Sequence, residues 1–326
     1  MNGLNMTIGK NPQPLAPFFE KQGVVILDGG LATELERRGH DLDHPLWSAR
    51  VGLLLKRPEA IRRVHLAYLE AGADCIISAS YQASLPGFQA DGLPVKQARS
   101  LIKKTVALAC EAREVFLENI QRESKARLRP LVAASIGPYG AYLADGSEYL
   151  GNYGVSSEAL RTFHLPRWQA LAETEADLFA CETIPSYQEA GVLLELMQET
   201  PEILAWISFS CRDGVHISDG TPIQECAALF GDISQVVAIG VNCTAPRFIA
   251  SLIRQVRNGA PDKPVVVYPN SGETYDAARR VWTGISDPID FAQAARDWRA
   301  KGASLVGGCC RTGPEHIRAI RQAVLG

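Results

Sequence analysis

Eight short runs rich in β-branched residues, each closing on a small or polar residue, constrain this chain more than any other feature. They are VVILDGG from Val24, DCIISAS from Asp74, LVAASIGP from Leu131, DLFACET from Asp177, AWISFS from Ala205, VVAIGVNC from Val236, VVVYPN from Val265 and SLVGGCC from Ser304. Most are continuously apolar and not alternating, which is the pattern of parallel strands covered on both faces. Helical stretches separate them. In Pro58–Ala71, proline suits the first turn, Ile61, Val64, Tyr68 and Leu69 share one face, and Gly72 suits the stop. EAGADCIIS near Glu70, ETEADLFAC near Glu173 and AKGASLVGG near Ala300 echo one another as helix end, tight turn and buried strand.

One βα unit is therefore reused, and no Pro/Gly/Ser linker is wide enough to separate domains. The expectation is an α/β chain folded as a single (β/α)8 TIM barrel over residues 23–326, behind an N-terminal extension of residues 1–22. Tyr139–Tyr153 then becomes a loop at the barrel mouth, and Pro166 is expected to kink or interrupt its helix.

Composition narrows the function. In 326 residues the net charge is −3, with 46% hydrophobic and 21% charged residues, an ordinary soluble globular balance with no basic surplus for phosphates. Nucleic acid is not the expected partner. No apolar run reaches the roughly 18 residues that span a bilayer, and the N-terminus does not read as a signal peptide. A cytoplasmic location follows as the expectation, and there the eight cysteines stay reduced, available for a metal, for catalysis or for the core.

A barrel of this kind works at the C-terminal ends of its strands. Those ends carry Asp28, Gly29 and Gly30; Ser80, Tyr81 and Gln82; Glu182 and Thr183; Asn242 and Cys243; Asn270 and Ser271; Cys309 and Cys310. Closure brings Cys243 to the same rim as Cys309 and Cys310. Three thiolates suit the tetrahedral preference of Zn2+ and leave its fourth position open, the mark of a catalytic site. Neighbouring residues on a strand point to opposite sides, so Cys309 and Cys310 share one ion only where the strand gives way to a loop, a change that Gly307 and Gly308 permit. His316 lies close in sequence but at no strand end. Cys75, Cys110, Cys181, Cys211 and Cys226 are assigned to the core or to inert positions.

Zinc held by three thiolates is a weakened Lewis acid, which fits a thiol substrate better than an activated water. A coordinating thiol is deprotonated outright, whereas a free one is only a few per cent thiolate at pH 7. Two other readings stay open at this point: a metal-dependent hydrolase or lyase, and a non-catalytic protein with structural zinc or a redox pair at Cys309 and Cys310.

From about Gly23 to His316 the chain resembles the homocysteine S-methyltransferases. LDGGLATELERRG, SASYQASLPGF, SIGPYGAYLADGSEY, ACETIPS, GVNC, VVYPNSGETYD and GGCCRT carry the likeness, GVNC with GGCCRT being its zinc-binding pattern. The mouth segments look most like the bacterial and plant branch that uses S-methylmethionine or S-adenosylmethionine, not betaine.

The resemblance implies that Cys243, Cys309 and Cys310 bind one zinc ion and that the L-homocysteine thiolate takes its fourth position. It places Asp28 and Glu182 at the substrate ammonium, where a carboxylate makes a charge-assisted hydrogen bond. Gly29, Gly30 and the helix start at Leu31 offer N–H groups to the substrate carboxylate, and Asp28 doubles as a candidate N-cap. For the sulfonium donor, Trp47 and Tyr81 are the aromatic candidates, with Tyr139, Tyr142, Tyr149 and Tyr153 in the mouth loop. Asn242 and Ser271 are candidates for orienting groups around the metal or substrate.

Overall fold

The computed structural model describes residues 13–123, 126–276, 281–283 and 286–326. The strands are β1 (Val25–Ile26), β2 (Cys75–Ile77), β3 (Leu131–Ile136), β4 (Leu178–Ile184), β5 (Ala205–Phe209), β6 (Val236–Asn242), β7 (Val265–Tyr268), β8 (Thr274–Asp276), β9 (Val281–Thr283) and β10 (Ala303–Val306). Eight of them pair in parallel, in the order β1, β10, β7, β6, β5, β4, β3, β2. Each grows from one of the eight apolar runs, and the chain is a (β/α)8 barrel. β8 and β9 form an antiparallel hairpin after β7, inside a stretch too polar to mark as strand beforehand.

The last seam, between β1 and β2, is short. One parallel bridge joins Leu27 to Cys75, and Asp28 N–H donates to Cys75 O at 3.1 Å. Two aspartates reinforce it. Asp28 Oδ2 accepts from Ile77 N–H at 2.8 Å, and Asp74 Oδ2 accepts from Ile26 N–H at 3.0 Å.

Alternation along each strand splits the core in two. Val25, Leu27, Ala133, Ala180, Trp206, Val266 and Leu305 fill the barrel interior, whereas Ile26, Val132, Phe179, Ile207 and Val267 pack under the helices. Phe18 of the helix Ala16–Gln22 and its N-cap Leu15 enter the interior cluster from the strand-start end, so this part of the expected extension packs on the barrel. Residues 1–12 of the expected extension lie outside the described residues.

Pro58–Ala71 is helical as expected, and Gly72 closes it at φ 116°. Of the kink or interruption expected at Pro166, the interruption does not occur: one helix runs Ser157–Ala172, held on both sides of the proline by buried Phe163, His164, Arg167 and Trp168. Tertiary packing outweighs the lost N–H bond there. Among the described residues, no helix is long and apolar enough to cross a membrane.

Candidate metal centre and substrate cleft

β6 stops at Asn242, and Cys243 turns out of the strand with φ 48°. A residue with a Cβ holds that left-handed backbone only at a cost of about 1–2 kcal/mol, and here the turn redirects the thiol into the mouth. β10 stops at Val306, three residues before Cys309, so the vicinal pair lies in a turn that Arg311 closes at φ 66°. A Cβ on Gly308 would lie 2.3 Å from Thr312 Oγ1, and one on Gly307 2.6 Å from Leu27 Cβ. The glycines are thus required by close packing as well as by freedom.

The Sγ atoms of Cys243, Cys309 and Cys310 lie within 4.8 Å of one another, with Cys243 and Cys310 3.6 Å apart. Zinc–sulfur bonds of about 2.3 Å at tetrahedral angles set sulfur atoms about 3.8 Å apart, so the triad fits such an ion. Hydrogen bonding first from Cys243, then from Cys309, makes Cys310 the most readily ionised of the three thiols. The other five cysteines do not join the cluster: Cys75, Cys110, Cys181 and Cys226 are buried and Cys211 is half-buried.

The triad forms one wall of a cleft that opens at the barrel mouth. Asp28, Gly29, Gly30, Trp47, Tyr81, Glu148, Tyr149, Glu182, Thr183 and Tyr268 contribute to the rest. Among the described residues, that lining holds three carboxylates and no Lys, Arg or His. Burial, then the Glu182 charge, lift the Asp28 carboxyl well above its usual range, against the Ile77 N–H bond. Burial likewise pushes Glu182 to about 7, although the hydroxyls of Ser135 and Tyr268 stabilise its charge. Two facing acids without a cation are a ready receptor for an ammonium group.

Three sequence expectations need adjustment. Asp28 caps no helix: the N-cap of Leu31–Arg37 is Gly30, without a side-chain cap, because the carboxylate is engaged with β2. The Gly30 N–H already donates to Thr312 O at 3.0 Å, so it is not open to a substrate carboxylate. What Gly30 supplies is its missing side chain, since a Cβ would meet Cys309 O at 2.6 Å. Tyr139, Tyr142 and Tyr153 do not line the cleft; Tyr139 packs against both other rings, and Tyr139 and Tyr142 pack on Phe163. Tyr149 does line it, with its hydroxyl 3.1 Å from Cys243 Sγ.

Asn242 and Ser271 lie behind the cleft. Asn242 Oδ1 accepts from Thr183 N–H at 2.7 Å and Ser208 Oγ–H at 2.9 Å, while its Nδ2 donates to Thr183 Oγ1 at 2.7 Å. It thereby holds Thr183 at φ 60°, next to Glu182. Ser271 N–H donates to Cys310 O at 3.0 Å. His316 is engaged with Gly313 N–H and Ser286 Oγ, away from the thiols.

Glu148 and Tyr268 were not singled out beforehand as contributors to this lining, and Thr183 was named only as a strand-end residue without a role. Thr183 gives no outward sign of a left-handed backbone, and Tyr268 reads as an ordinary strand residue. Glu148, an acid directly before Tyr149 in the mouth segment SEYLGNY, carried the one available signal.

Fold and site together define a barrel enzyme class whose mouth sets a thiol triad able to hold a metal ion beside buried carboxylates. A family model described as homocysteine S-methyltransferase matches residues 25–324. Homocysteine S-methyltransferase YbgG of Bacillus subtilis (strain 168) is 49% identical over 94% of this chain and 96% of its own. Selenocysteine Se-methyltransferase of Brassica oleracea var. italica is 48% identical over 94% and 90%. The metallated crystal form of the Escherichia coli homocysteine methyltransferase MmuM superposes with a TM-score of 0.84 at 45% identity, covering 95% of this chain and 99% of that one. The chain belongs to the homocysteine S-methyltransferase family.

Proposed function

We propose that this protein forms methionine by moving a methyl group from a sulfonium donor, S-methylmethionine or S-adenosylmethionine, to L-homocysteine, with one zinc ion held by Cys243, Cys309 and Cys310. The observation that carries this reading is the thiol triad beside Asp28 and Glu182 in a cleft with no cationic side chain among its described lining residues. Bound zinc would supply Lewis acidity that keeps the substrate sulfur ionised at neutral pH. Residues 23–326 are the catalytic domain in this reading, and residues 1–22 are an extension.

The chain's own residues do the positioning. Asp28 and Glu182 hold the homocysteine ammonium; Gly29 and the N–H groups at Leu31 face its carboxylate; the faces of Trp47 and Tyr81 receive the donor cation. The homocysteine sulfur attacks the donor methyl carbon in line, one S–C bond forms, the other breaks, and its electron pair leaves on a neutral thioether. The thiol proton leaves to solvent when the sulfur ionises and none moves in the transfer itself, so the absence of a histidine from the described lining costs nothing there. An anion and a cation neutralise each other in the step, which a water-poor cleft favours. Pre-alignment of two reactants supplies several kcal/mol more.

The test is methionine formation from homocysteine with S-methylmethionine, S-adenosylmethionine and betaine in parallel. Turnover with a sulfonium is expected. Preference for betaine would overturn the donor assignment, and thiol-independent ester or amide hydrolysis would overturn the reaction class.

A further inference from the structure

Glu148 has no role in the mechanism just described, yet its placement is costly. Its side chain lines the cleft while the residue is only 6% exposed, and Oε2 is buried with no hydrogen-bond partner among the described residues. A buried carboxylate oxygen left unpaired costs about 1–3 kcal/mol or more, so the fold keeps it there against its own stability.

The backbone fixes the residue in place. The Glu148 carbonyl accepts from Ser210 Oγ–H at 3.0 Å, and a side chain at Gly140 would meet Glu148 N at 2.5 Å. The loop itself is anchored on Glu189, which accepts from Tyr139 N–H at 2.6 Å and Tyr153 O–H at 2.9 Å. Burial holds the Glu148 carboxyl near pKa 7, with Asp145 and Cys310 adding to the rise. Burial and then the Glu148 charge raise the Tyr81 hydroxyl, and the acid lines the same cleft as this aromatic candidate for the donor cation. Among the described residues it is not part of the group close enough to share a metal with the thiols.

We propose that Glu148 binds the α-ammonium group of the methyl donor and so selects amino-acid sulfonium compounds over simple ones. The assignment rests on the sulfonium reading of the proposed function. Asp28 and Glu182 face each other and serve one ammonium, that of homocysteine; Glu148, on the mouth loop, serves a second. The choice of ammonium over sulfonium follows from the reaction. The sulfonium charge vanishes during transfer, so a carboxylate placed on it would stabilise the reactant over the transition state and slow the step. The ammonium keeps its charge throughout, and a carboxylate there strengthens binding without opposing chemistry.

The experiment compares wild type, Glu148→Gln and Glu148→Asp, each with its zinc content measured. Steady-state constants are taken for homocysteine and S-methyl-L-methionine. The inhibition constant of (3-carboxypropyl)dimethylsulfonium, the donor lacking only its amino group, is measured against S-methylmethionine. Glu148→Gln is expected to raise KM for S-methylmethionine about 10- to 100-fold, the loss of one charged hydrogen bond. It should leave kcat, homocysteine KM and the inhibition constant within about threefold, with partial recovery in Glu148→Asp. Wild type should bind the des-amino compound about 10- to 100-fold more weakly than the parent. Equal weakening of both sulfonium compounds, an unchanged donor KM, or a rise in homocysteine KM instead would overturn the assignment. Wild type that makes no methionine from any sulfonium would refute the parent reading first, and this one with it.

Discussion

Replacing Asn242 by Ala tests whether the back wall of the cleft positions the substrate acid. The side chain makes three buried hydrogen bonds, two of them to Thr183. Ser208 Oγ keeps Tyr268 OH at 2.7 Å after the change, but Thr183 N–H loses its acceptor. An orphaned buried N–H costs about 1–3 kcal/mol. That is comparable to the cost of the left-handed backbone at Thr183, so the residue is expected to relax out of φ 60° and carry Glu182 with it.

A displaced Glu182 forfeits a charged hydrogen bond to the homocysteine ammonium, worth about 1.5–3 kcal/mol, or roughly 10- to 150-fold in KM. The assay is a double-mutant cycle on homocysteine KM with Asn242→Ala, Glu182→Gln and the pair, donor saturating. If Asn242 acts through Glu182, the double variant matches Glu182→Gln alone. Additive losses, or a shift in donor KM of similar size, would refute this reasoning.

Acidification from pH 8 to 6 is expected to raise homocysteine KM, because Glu182 ionises only near 7 and binds the ammonium as the anion; the Glu182→Gln variant should lose that acid limb, and an unchanged profile would count against the role. The same shift makes the ligand-free fold less stable as pH rises from about 4.5 towards 7, since the folded state holds protons on Glu182 and Glu148 that the unfolded chain has released; thermal melts across that window check the sign. Gly308→Ala should weaken zinc binding about 10- to 100-fold by pushing Thr312 off the Cys309 carbonyl that it contacts at 2.7 Å, and full metal content in a competition titration would contradict it. Mild oxidation of the thiol triad should release zinc and stop turnover together, reversibly with reductant; retained metal beside lost activity would point to damage elsewhere.

The barrel was legible because strands buried on both faces leave unbroken apolar runs, and all eight runs became strands of one sheet. The thiol triad was legible for a related reason: strand ends share a rim, so Cys243 could be matched to Cys309 and Cys310 across a long separation. Backbone commitments were not legible. Nothing in the letters Gly-Gly-Leu says that the Gly30 N–H belongs to Thr312, or that Asp28 turns towards Ile77 and away from its own helix. Pro166 shows the converse, a strong local signal overruled by buried neighbours. Glu148 was hidden by context, since an acid in a polar loop usually faces water, and only the assembled mouth encloses it.

The short seam between β1 and β2 carries a consequence for Asp28. One of its oxygens closes the staves of the barrel at their working end, which under the proposed function leaves the other to greet an incoming guest. On that proposal architecture and recognition draw on a single functional group. An Asp28 replacement loosens the hoop as it weakens the grip, and the two injuries come apart only with asparagine, which keeps an oxygen for Ile77 while surrendering the charge.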